Sequence, residues 1–318
     1  MKVLITGSSG LLGNLMIKSL IAENIKVIGL DIVEPSEEYT REYFRFYKCC
    51  VTERERIDTI FASENPTHVI HFASTLGKIR NRSKEYKIDI LGSENILDTS
   101  DKTNSVEQLV FSSSALAYGG NKHNPERMDE TCLLNPGKYR YGENKKRVEK
   151  IFTTKPVRKD LNLTLIRICN VVGPSFNKPG SIVSLLLKWS WLPEFCRETR
   201  IQFLHEEDFV SVLHLVINDK GINGVFNLAP DKYVTVKDLV PGTRYFRVPV
   251  ILTKLLLSIL WGLRLINFQP AGINCAIYPL ILDSSKICRR FSFKFSYTSK
   301  EAFESTREIN KIPSAIII

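Results

Sequence analysis

The sequence predicts an α/β protein in which helices cover both faces of a parallel β-sheet. Short runs rich in β-branched residues alternate with longer helical patterns through the first half of the chain. These runs are apolar on both faces, as strands buried between two layers of helices are. With 318 residues, the chain is long enough for one large domain and a smaller lobe.

Six runs in the first half of the chain are predicted strands. They are Lys2–Thr6, Lys26–Leu30, Phe44–Cys49, His68–Phe72, Gln108–Ser112 and Leu163–Ile168. Leu11–Glu23 has the apolar spacing of an amphipathic helix. Thr52 and Glu55 form a capping-box pattern at the start of another helix, which Asn65 and Pro66 should end.

A glycine-rich turn connects the first predicted strand to the first predicted helix. Thr6–Gly13 reads TGSSGLLG and places glycines at positions 7, 10 and 13. This spacing permits a tight turn and a close approach of the backbone to a pyrophosphate, which the amides at the helix start can bind. The strand, turn and helix together predict a dinucleotide-binding site.

Asp31 ends the second predicted strand and indicates which dinucleotide binds. It lies 18 residues beyond Gly13, where a carboxylate can accept both ribose hydroxyls of NAD. A 2′-phosphate would meet like charge there, and no arginine follows Asp31, so NAD is favoured over NADP. The alternative is that Asp31 is only a turn residue or a helix cap.

The regular alternation of strands and helices ends after Arg167. We expect residues 1–170 to form an NAD-binding domain with a doubly wound Rossmann sheet. Residues 171–318 should form mainly a smaller C-terminal substrate lobe, with segments near 201–203 and 225–228 returning to the sheet.

One segment of this lobe, Val248–Ile266, is strongly apolar. Pro249, Lys254 and Arg264 interrupt it, so its apolar core is shorter than the ~20 residues that a membrane-spanning helix needs. We expect a buried helix or pocket wall here, rather than a transmembrane segment or a contact with a membrane surface.

Composition and charge limit the classes of partner. The formal net charge of +10 suits anionic ligands, but the basic residues are scattered and no nucleic-acid-binding module is present, so no nucleic-acid partner is expected. Seven cysteines and five histidines lack metal-ligand spacing, which predicts reduced thiols and no metal. No apolar leader precedes the first strand, which favours a cytoplasmic location. We expect a small-molecule substrate as partner and leave a homodimer open.

Nine sequence features follow one another along the chain. They are Thr6–Gly13, Asp31, His68–Ser74, Phe111–Gly119, Tyr141–Lys145, Arg167–Pro174, Gln202–Asp208, Phe226–Pro230 and Leu282–Lys286. Their order and spacing resemble extended short-chain dehydrogenase/reductases of the NAD-dependent epimerase/dehydratase family, including nucleotide-sugar epimerases. The resemblance covers nearly the whole chain and implies NAD as the cofactor.

The resemblance also implies roles for individual residues. Tyr141 would be the acid/base, Lys145 its partner and Ser114 a hydrogen-bond donor to the substrate. The residues expected to bind NAD are Gly7, Gly10, Leu11, Leu12, Gly13, Asp31, Phe72, Ala73, Ser74, Tyr141 and Lys145. The residues expected to bind substrate are Ser114, Asn170, Arg197 and Arg200.

The spacing of Tyr141 and Lys145 agrees with these roles. An i, i+4 pair lies on one face of a helix, where the ammonium can lower a phenol pKa from ~10 towards neutrality. In an unrelated sequence such a pair would be an ordinary surface pair. The glycine-rich turn upstream and the serine run that ends at Ser114, 27 residues before Tyr141, favour catalysis here. Tyr139 has Glu143 at i+4, which would oppose ionisation of its phenol.

Several positions depart from the family pattern. Cys49–Thr52 replaces an acidic residue expected near the adenine, and Asp89–Ser93 reads DILGS where relatives usually carry Asn-Val-x-Gly-Thr. Ile201 stands where an arginine is usual, and Pro270–Ile281 lacks a second diphosphate-binding arginine. Arg197 or Arg200 can replace these cations; otherwise a less charged substrate is favoured.

Three functions remain open on the sequence alone. The first is an epimerase or dehydratase that oxidises a secondary alcohol with NAD. The second is a net dehydrogenase or reductase of a less charged alcohol or ketone, in which NADH would exchange. The third is a non-catalytic NAD-binding protein, which the presence of Ser114, Tyr141 and Lys145 opposes.

Overall fold

The computed structural model describes residues 1–76, 79–176, 191–266 and 269–308. The strands are β1 (Lys2–Thr6), β2 (Lys26–Asp31), β3 (Phe44–Lys48), β4 (His68–His71), β5 (Gln108–Ser114), β6 (Asn162–Ile168), β7 (Asn170–Val172), β8 (Trp191–Pro193), β9 (Arg200–Ile201), β10 (Phe203–His205), β11 (Gly224–Leu228), β12 (Val234–Thr235) and β13 (Arg244–Phe246). Each of the six predicted strands is present within two residues of its expected bounds.

Seven of these strands form one sheet in the order β11-β6-β5-β4-β1-β2-β3. The neighbours β1–β2, β1–β4, β2–β3 and β4–β5 pair in parallel. Thr6 is in register with both Leu30 and His71, so the carboxyl ends of β1, β2 and β4 lie at the same edge. The predicted α/β fold class with a Rossmann-type sheet is confirmed.

Five helices build the part of the chain that carries the predicted site. They are α1 (Leu11–Ala22), α2 (Arg54–Glu64), α3 (Arg82–Tyr86), α4 (Gly92–Lys102) and α5 (Arg140–Thr154), with a π-helical turn at Lys87–Leu91. Within the described residues, the other α-helices are Glu206–Asn218, Val236–Leu239, Val250–Gly262, Asn274–Ile277, Ser285–Phe291 and Ser299–Glu308. Single turns of 3₁₀-helix lie at Ala115–Ala117, Pro174–Phe176, Glu194–Cys196 and Pro270–Ile273.

The first strand and the first helix show why these residues form these elements. Val3, Leu4 and Ile5 of β1 are fully buried, as expected for a central strand covered on both faces. Met16, Ile17 and Leu20 repeat at helical spacing in α1 and are buried as well. Fully burying such side chains contributes roughly 1.5–3 kcal/mol each.

The predicted capping box at Thr52 and Glu55 is wrong. Helix α2 begins one residue later than that pattern requires, with Glu53 as its N-cap and no side-chain cap hydrogen bond. The Thr52 hydroxyl instead donates to the Cys50 sulfur, and Glu53 accepts the Cys50 amide at 2.7 Å. At the other end, Asn65 adopts a left-handed conformation and ends the helix as predicted.

The chain divides into two compact units whose boundaries differ from a single division at residue 170. Unit 1 comprises 1–117, 140–167 and 212–226, and unit 2 comprises 118–139, 168–211 and 227–318. Strand β11 belongs to the seven-stranded sheet. Segment 201–203 was expected to return to that sheet, but β9 pairs with β12 and β10 pairs with β7 in separate ladders.

The apolar segment around Val250–Gly262 is helical but is not a buried helix. None of its residues is buried, and Ile251 is 83% exposed. The expectation of a buried helix is therefore wrong, and its alternative, a pocket wall, stays a prediction. Among the residues that the structure describes, no helix is both long and apolar enough to span a membrane.

Candidate active site

The glycine-rich turn lies at the carboxyl end of β1, where it has no space for side chains. Gly7 has a φ of +69°, and a Cβ on it would lie 2.7 Å from the Ala73 amide nitrogen. A Cβ on Gly13 would lie 2.4 Å from the Gly7 carbonyl oxygen. These approaches explain why glycine is required at positions 7 and 13. The helix start at Gly10 and Leu11 follows this turn directly.

Asp31 ends β2 beside this turn, and backbone amides orient its carboxylate. Oδ2 accepts the Ser9 amide at 3.0 Å, and Oδ1 accepts the Ile32 amide at 2.7 Å. The side chain is only partly buried. Oδ1 also accepts the Val33 amide at 3.2 Å, so Oδ2, which accepts a single amide, is the oxygen with capacity left for a ribose hydroxyl.

His71 holds the segment that follows β4. Its Nε2 contacts the Ser93 hydroxyl at 2.8 Å, and its Nδ1 contacts the Thr6 hydroxyl at 2.6 Å. Because Ser93 donates to the Asp89 carbonyl at 2.7 Å, it must accept from His71, which places the ring proton on Nε2. Burial and the Lys145 cation lower the pKa of His71 to about 3, so the ring is neutral.

This neutral histidine fixes the position of Ala73. With the proton on Nε2, the Thr6 hydroxyl donates to Nδ1 and is left to accept the Ala73 amide at 3.3 Å. Phe72 and Ala73 are thereby placed against Gly7, next to the glycine-rich turn. The family resemblance implies Phe72, Ala73 and Ser74 as cofactor residues, but no sequence pattern indicates the histidine that positions this segment.

Asp89 connects the segment after β4 to helix α5. This carboxylate is 4% exposed, and it accepts the Thr75 amide at 2.7 Å and the Thr75 hydroxyl at 2.8 Å. It also accepts the Ser74 hydroxyl at 3.3 Å and the Asn144 amide group at 2.9 Å. The sequence marked Asp89 only as a departure from the family's asparagine. That departure was the signal that could have identified it as a site residue.

Tyr141 and Lys145 lie in the first turns of α5, on the face that the i, i+4 spacing predicts. Lys145 is 5% exposed, and its Nζ donates to the Ser112 carbonyl of β5 at 2.5 Å. The same nitrogen lies 5.7 Å from the centre of the Tyr141 ring and 4.7 Å from that of Phe111. The structure therefore brings the two predicted residues together, beside the carboxyl-terminal part of β5.

The buried ammonium has an altered pKa. Burial lowers the pKa of Lys145 to about 8, while the Asp89 and Glu149 carboxylates oppose this shift. Lys145 is therefore mainly protonated at neutral pH, when its positive charge can stabilise a phenolate.

Ser114 is the last residue of β5 and is partly buried. Its hydroxyl accepts the Leu116 amide at 3.2 Å, which leaves the hydroxyl proton available for donation. Tyr139 precedes α5, and burial raises its pKa to about 12. Its phenol is therefore disfavoured as a base, as expected, although burial and not Glu143 is the main cause.

A buried ion pair supports the strands and helix beneath this site. Arg167 of β6 donates to Glu149 of α5 from Nε and from its terminal nitrogen, at 3.1 and 2.7 Å. Ser113 of β5 also donates to Glu149. These bonds join β5, β6 and α5, the elements that carry Ser114, Tyr141 and Lys145. No pattern in the sequence predicts this ion pair.

The expected substrate residues of unit 2 occupy different surroundings. Asn170 is exposed at the start of β7 and donates to the Gln202 carbonyl at 3.2 Å. The Arg197 guanidinium lies 5.5 Å from the Tyr245 ring centre, and the Arg200 guanidinium lies 5.0 Å from that of Tyr233. Both tyrosines line one cavity of about 790 Å³, which Arg197 lines as well.

Residues 3–229 match the family model described as the NAD dependent epimerase/dehydratase family. The chain belongs to this family. NAD as the cofactor and membership of the short-chain dehydrogenase/reductase superfamily of enzymes are thereby confirmed.

Individual relatives are similar over most of the chain. A UDP-glucose 4-epimerase from Halalkalibacterium halodurans is 29% identical over 271 residues, which are 77% of this chain and 80% of the relative. Bordetella bronchiseptica WbmG, solved in complex with NAD, has a TM-score of 0.77 at 20% identity, covering 96% of this chain and 92% of WbmG. A UDP-glucose 4-epimerase from Thermotoga maritima, solved with UDP-glucose, has a TM-score of 0.76 at 22% identity, covering 96% and 97%. At these identities the two solved structures establish the shared fold.

Proposed function

We propose that this member of the family oxidises a secondary alcohol of a nucleotide sugar as an epimerase or dehydratase, with Tyr141 as its acid/base. The observation that carries the proposal is the buried Lys145 ammonium, 5.7 Å from the Tyr141 ring centre. A lysine buried beside a tyrosine has little structural benefit, because burial penalises its charge. The position of Lys145 is explained if its charge lowers the pKa of the Tyr141 phenol.

The cofactor would be held by residues of unit 1. The amides of Leu11, Leu12 and Gly13 would face the pyrophosphate, because they open helix α1 after the tight turn at Gly7, whereas the Gly10 amide donates to the Gly7 carbonyl at 3.0 Å within the turn. Asp31 would accept the ribose hydroxyls with its oriented carboxylate. A Cβ at Gly7 or Gly13 would clash with the protein's own backbone, so these glycines keep the turn tight and bring the start of α1 close to Phe72 and Ala73, as a dinucleotide site requires.

The proton chemistry belongs to three side chains. Tyr141, as the phenolate, would take the hydroxyl proton from the substrate, while Ser114 would donate a hydrogen bond to the same oxygen as the carbonyl forms. The Lys145 ammonium would lower the pKa of the phenol and so supply the base near neutral pH. Bound NAD would supply the hydride acceptor for the carbon that is oxidised and the hydride donor for its reduction. In an epimerase, Tyr141 would finally return the proton to an oxygen whose carbon is reduced from the other face.

Cations of unit 2 support a nucleotide sugar over a less charged substrate. Arg197, Lys237 and Lys300 line the cavity beside Tyr233 and Tyr245 and outnumber its two acidic residues, Glu194 and Asp238, so a diphosphate there would meet a net positive lining and aromatic rings. It would compete for Arg197 with Glu194, whose carboxylate lies 3.4 Å from the guanidinium. Arg197 and Arg200 would then replace the arginines that the sequence lacks at 201 and 270–281. Two relatives are named UDP-glucose 4-epimerases, which makes UDP-hexoses the first substrates to test.

The test is turnover by the purified protein with NAD and a panel of UDP-hexoses, dTDP-glucose and simple ketones, followed by product chromatography and NADH absorbance. An epimerase would interconvert two UDP-hexoses without accumulating NADH. A net dehydrogenase would release NADH in proportion to product. An Arg197→Met variant should raise KM for the nucleotide sugar by about tenfold or more, as for one lost charge-assisted contact. Absence of turnover on all substrates, with NAD still bound, would support the non-catalytic alternative.

A further inference from the structure

The helix Val250–Gly262 presents an unusual surface to solvent. Ile251, Leu255, Ile259 and Leu263 recur every four residues and are 83%, 56%, 50% and 64% exposed. Side chains at this spacing lie on one face of a helix. Leu252 and Leu256 widen this face, and each is 53% exposed. We call these six residues the exposed apolar face.

A contiguous exposed apolar surface of this kind indicates a binding site for another surface. Single exposed leucines are common on soluble proteins, but a row of them on one helix marks a place where another surface binds. The opposite side of the helix is only partly buried. The helix is therefore not packed firmly against the protein on the side opposite the exposed apolar face.

The charged residues near this helix in the sequence indicate the chemistry of the surface that binds it. Residues 239–282 contain no aspartate or glutamate, and their four cations are Arg244, Arg247, Lys254 and Arg264. None of the four forms an ion pair with the described residues, and all except Lys254 are exposed. Arg244 lies 5.3 Å from the ring centre of Trp191, which is itself 54% exposed. Positive charge without a neutralising partner therefore flanks the apolar residues.

We propose that this helix binds in the plane of an anionic phospholipid membrane, with the exposed apolar face in the boundary between headgroups and acyl chains. Its 13 residues span about 20 Å, which is less than the ~30 Å hydrocarbon core, so the helix lies on the bilayer and does not cross it. The flanking arginines and Lys254 meet lipid phosphates. Trp191 is suited to the headgroup level.

A second copy of the chain is a poorer occupant. A twofold interface would place the same patch on both subunits and would bring these cations towards one another. Residues 239–282 supply no acidic residue to such an interface, so any carboxylate that neutralised these cations would have to come from elsewhere in the chain. An anionic lipid surface satisfies both the apolar residues and the cations, and this proposal is independent of the catalytic one.

Vesicle co-sedimentation of the full chain tests the proposal. Vesicles that contain phosphatidylglycerol should pellet the protein, whereas vesicles of phosphatidylcholine alone should bind it much more weakly. Leu255→Ser with Ile259→Ser should weaken binding to the anionic vesicles at least about tenfold. Arg247→Gln with Arg264→Gln should weaken it roughly 30-fold at low salt, at about fivefold per cation.

The matched control is Leu133→Ser, which removes an 84% exposed leucine from elsewhere in unit 2 and should leave vesicle binding unchanged. All altered residues are on the surface, and thermal melting of each variant checks that it folds. Equal, weak binding of the unmodified protein to both kinds of vesicle would overturn the proposal. So would a dimer in light scattering that Leu255→Ser with Ile259→Ser dissociates, because a second copy would then cover this face.

Discussion

Replacing the buried ammonium by an uncharged chain of similar length, Lys145→Met, tests the central pair most directly. Nζ lies 5.7 Å from the Tyr141 ring centre. At an effective dielectric constant of ~20, a unit charge at that distance stabilises a phenolate by about 2.9 kcal/mol. This is about 2 pKa units, so the phenol pKa of Tyr141 should rise by about 2 in the variant.

The pH profile of kcat/KM should therefore shift in the Lys145→Met variant. The base form of Tyr141 exists above its pKa and is lost as the pH falls, so the acid limb of kcat/KM should move up by about 2 pH units. At a pH below both pKa values, kcat/KM should fall roughly 100-fold, and part of the loss should be recovered at alkaline pH. The assay is the pH dependence of kcat/KM with a substrate from the nucleotide-sugar panel.

The matched control is Lys150→Met, which removes the same charge from an exposed position on the same helix. Solvent and salt screen that cation, so its loss should leave the pH profile in place. A Lys145→Met enzyme whose rate falls by the same factor at every pH would refute this electrostatic role and leave only a structural one.

Three further predictions concern neighbouring residues. Tyr141→Phe should lower turnover by at least about 100-fold while calorimetry shows nearly unchanged NAD affinity, because only the reacting hydroxyl is lost; Tyr139→Phe should change little. The unmodified protein should bind NAD more tightly than NADP, and Asp31→Ala should reduce this difference in dissociation constant. Equal dissociation constants for the two cofactors in the unmodified protein would contradict the role of this carboxylate. Asp89→Asn keeps the shape of the side chain but removes a charge that opposes the lowering of the Lys145 pKa, which is about 8. That pKa should fall further, so the alkaline limb of kcat/KM, where Lys145 loses its proton, should move to lower pH; an unchanged alkaline limb would exclude this effect.

The sequence identified those parts of the site whose geometry is local. Gly7 and Gly13 belong to one strand, turn and helix, and Tyr141 and Lys145 are one helical turn apart. Patterns of this length are visible along the chain because strand and helix periodicity fix which residues share a face. Asp31 was identifiable for the same reason, as the carboxylate that ends the next parallel strand.

Tertiary structure decided what depends on neighbours that are distant in the chain. Asp89 meets Thr75 and Asn144 only after folding, and the pKa of Lys145 follows from its burial beside Phe111, which no spacing rule specifies. Similarly, the apolar composition of Val250–Gly262 predicted a buried helix, but burial depends on whether other elements pack against a helix. Here its leucines remain exposed, so the sequence determined the helix and its apolar character, while the packing around it decided that this face is at the surface.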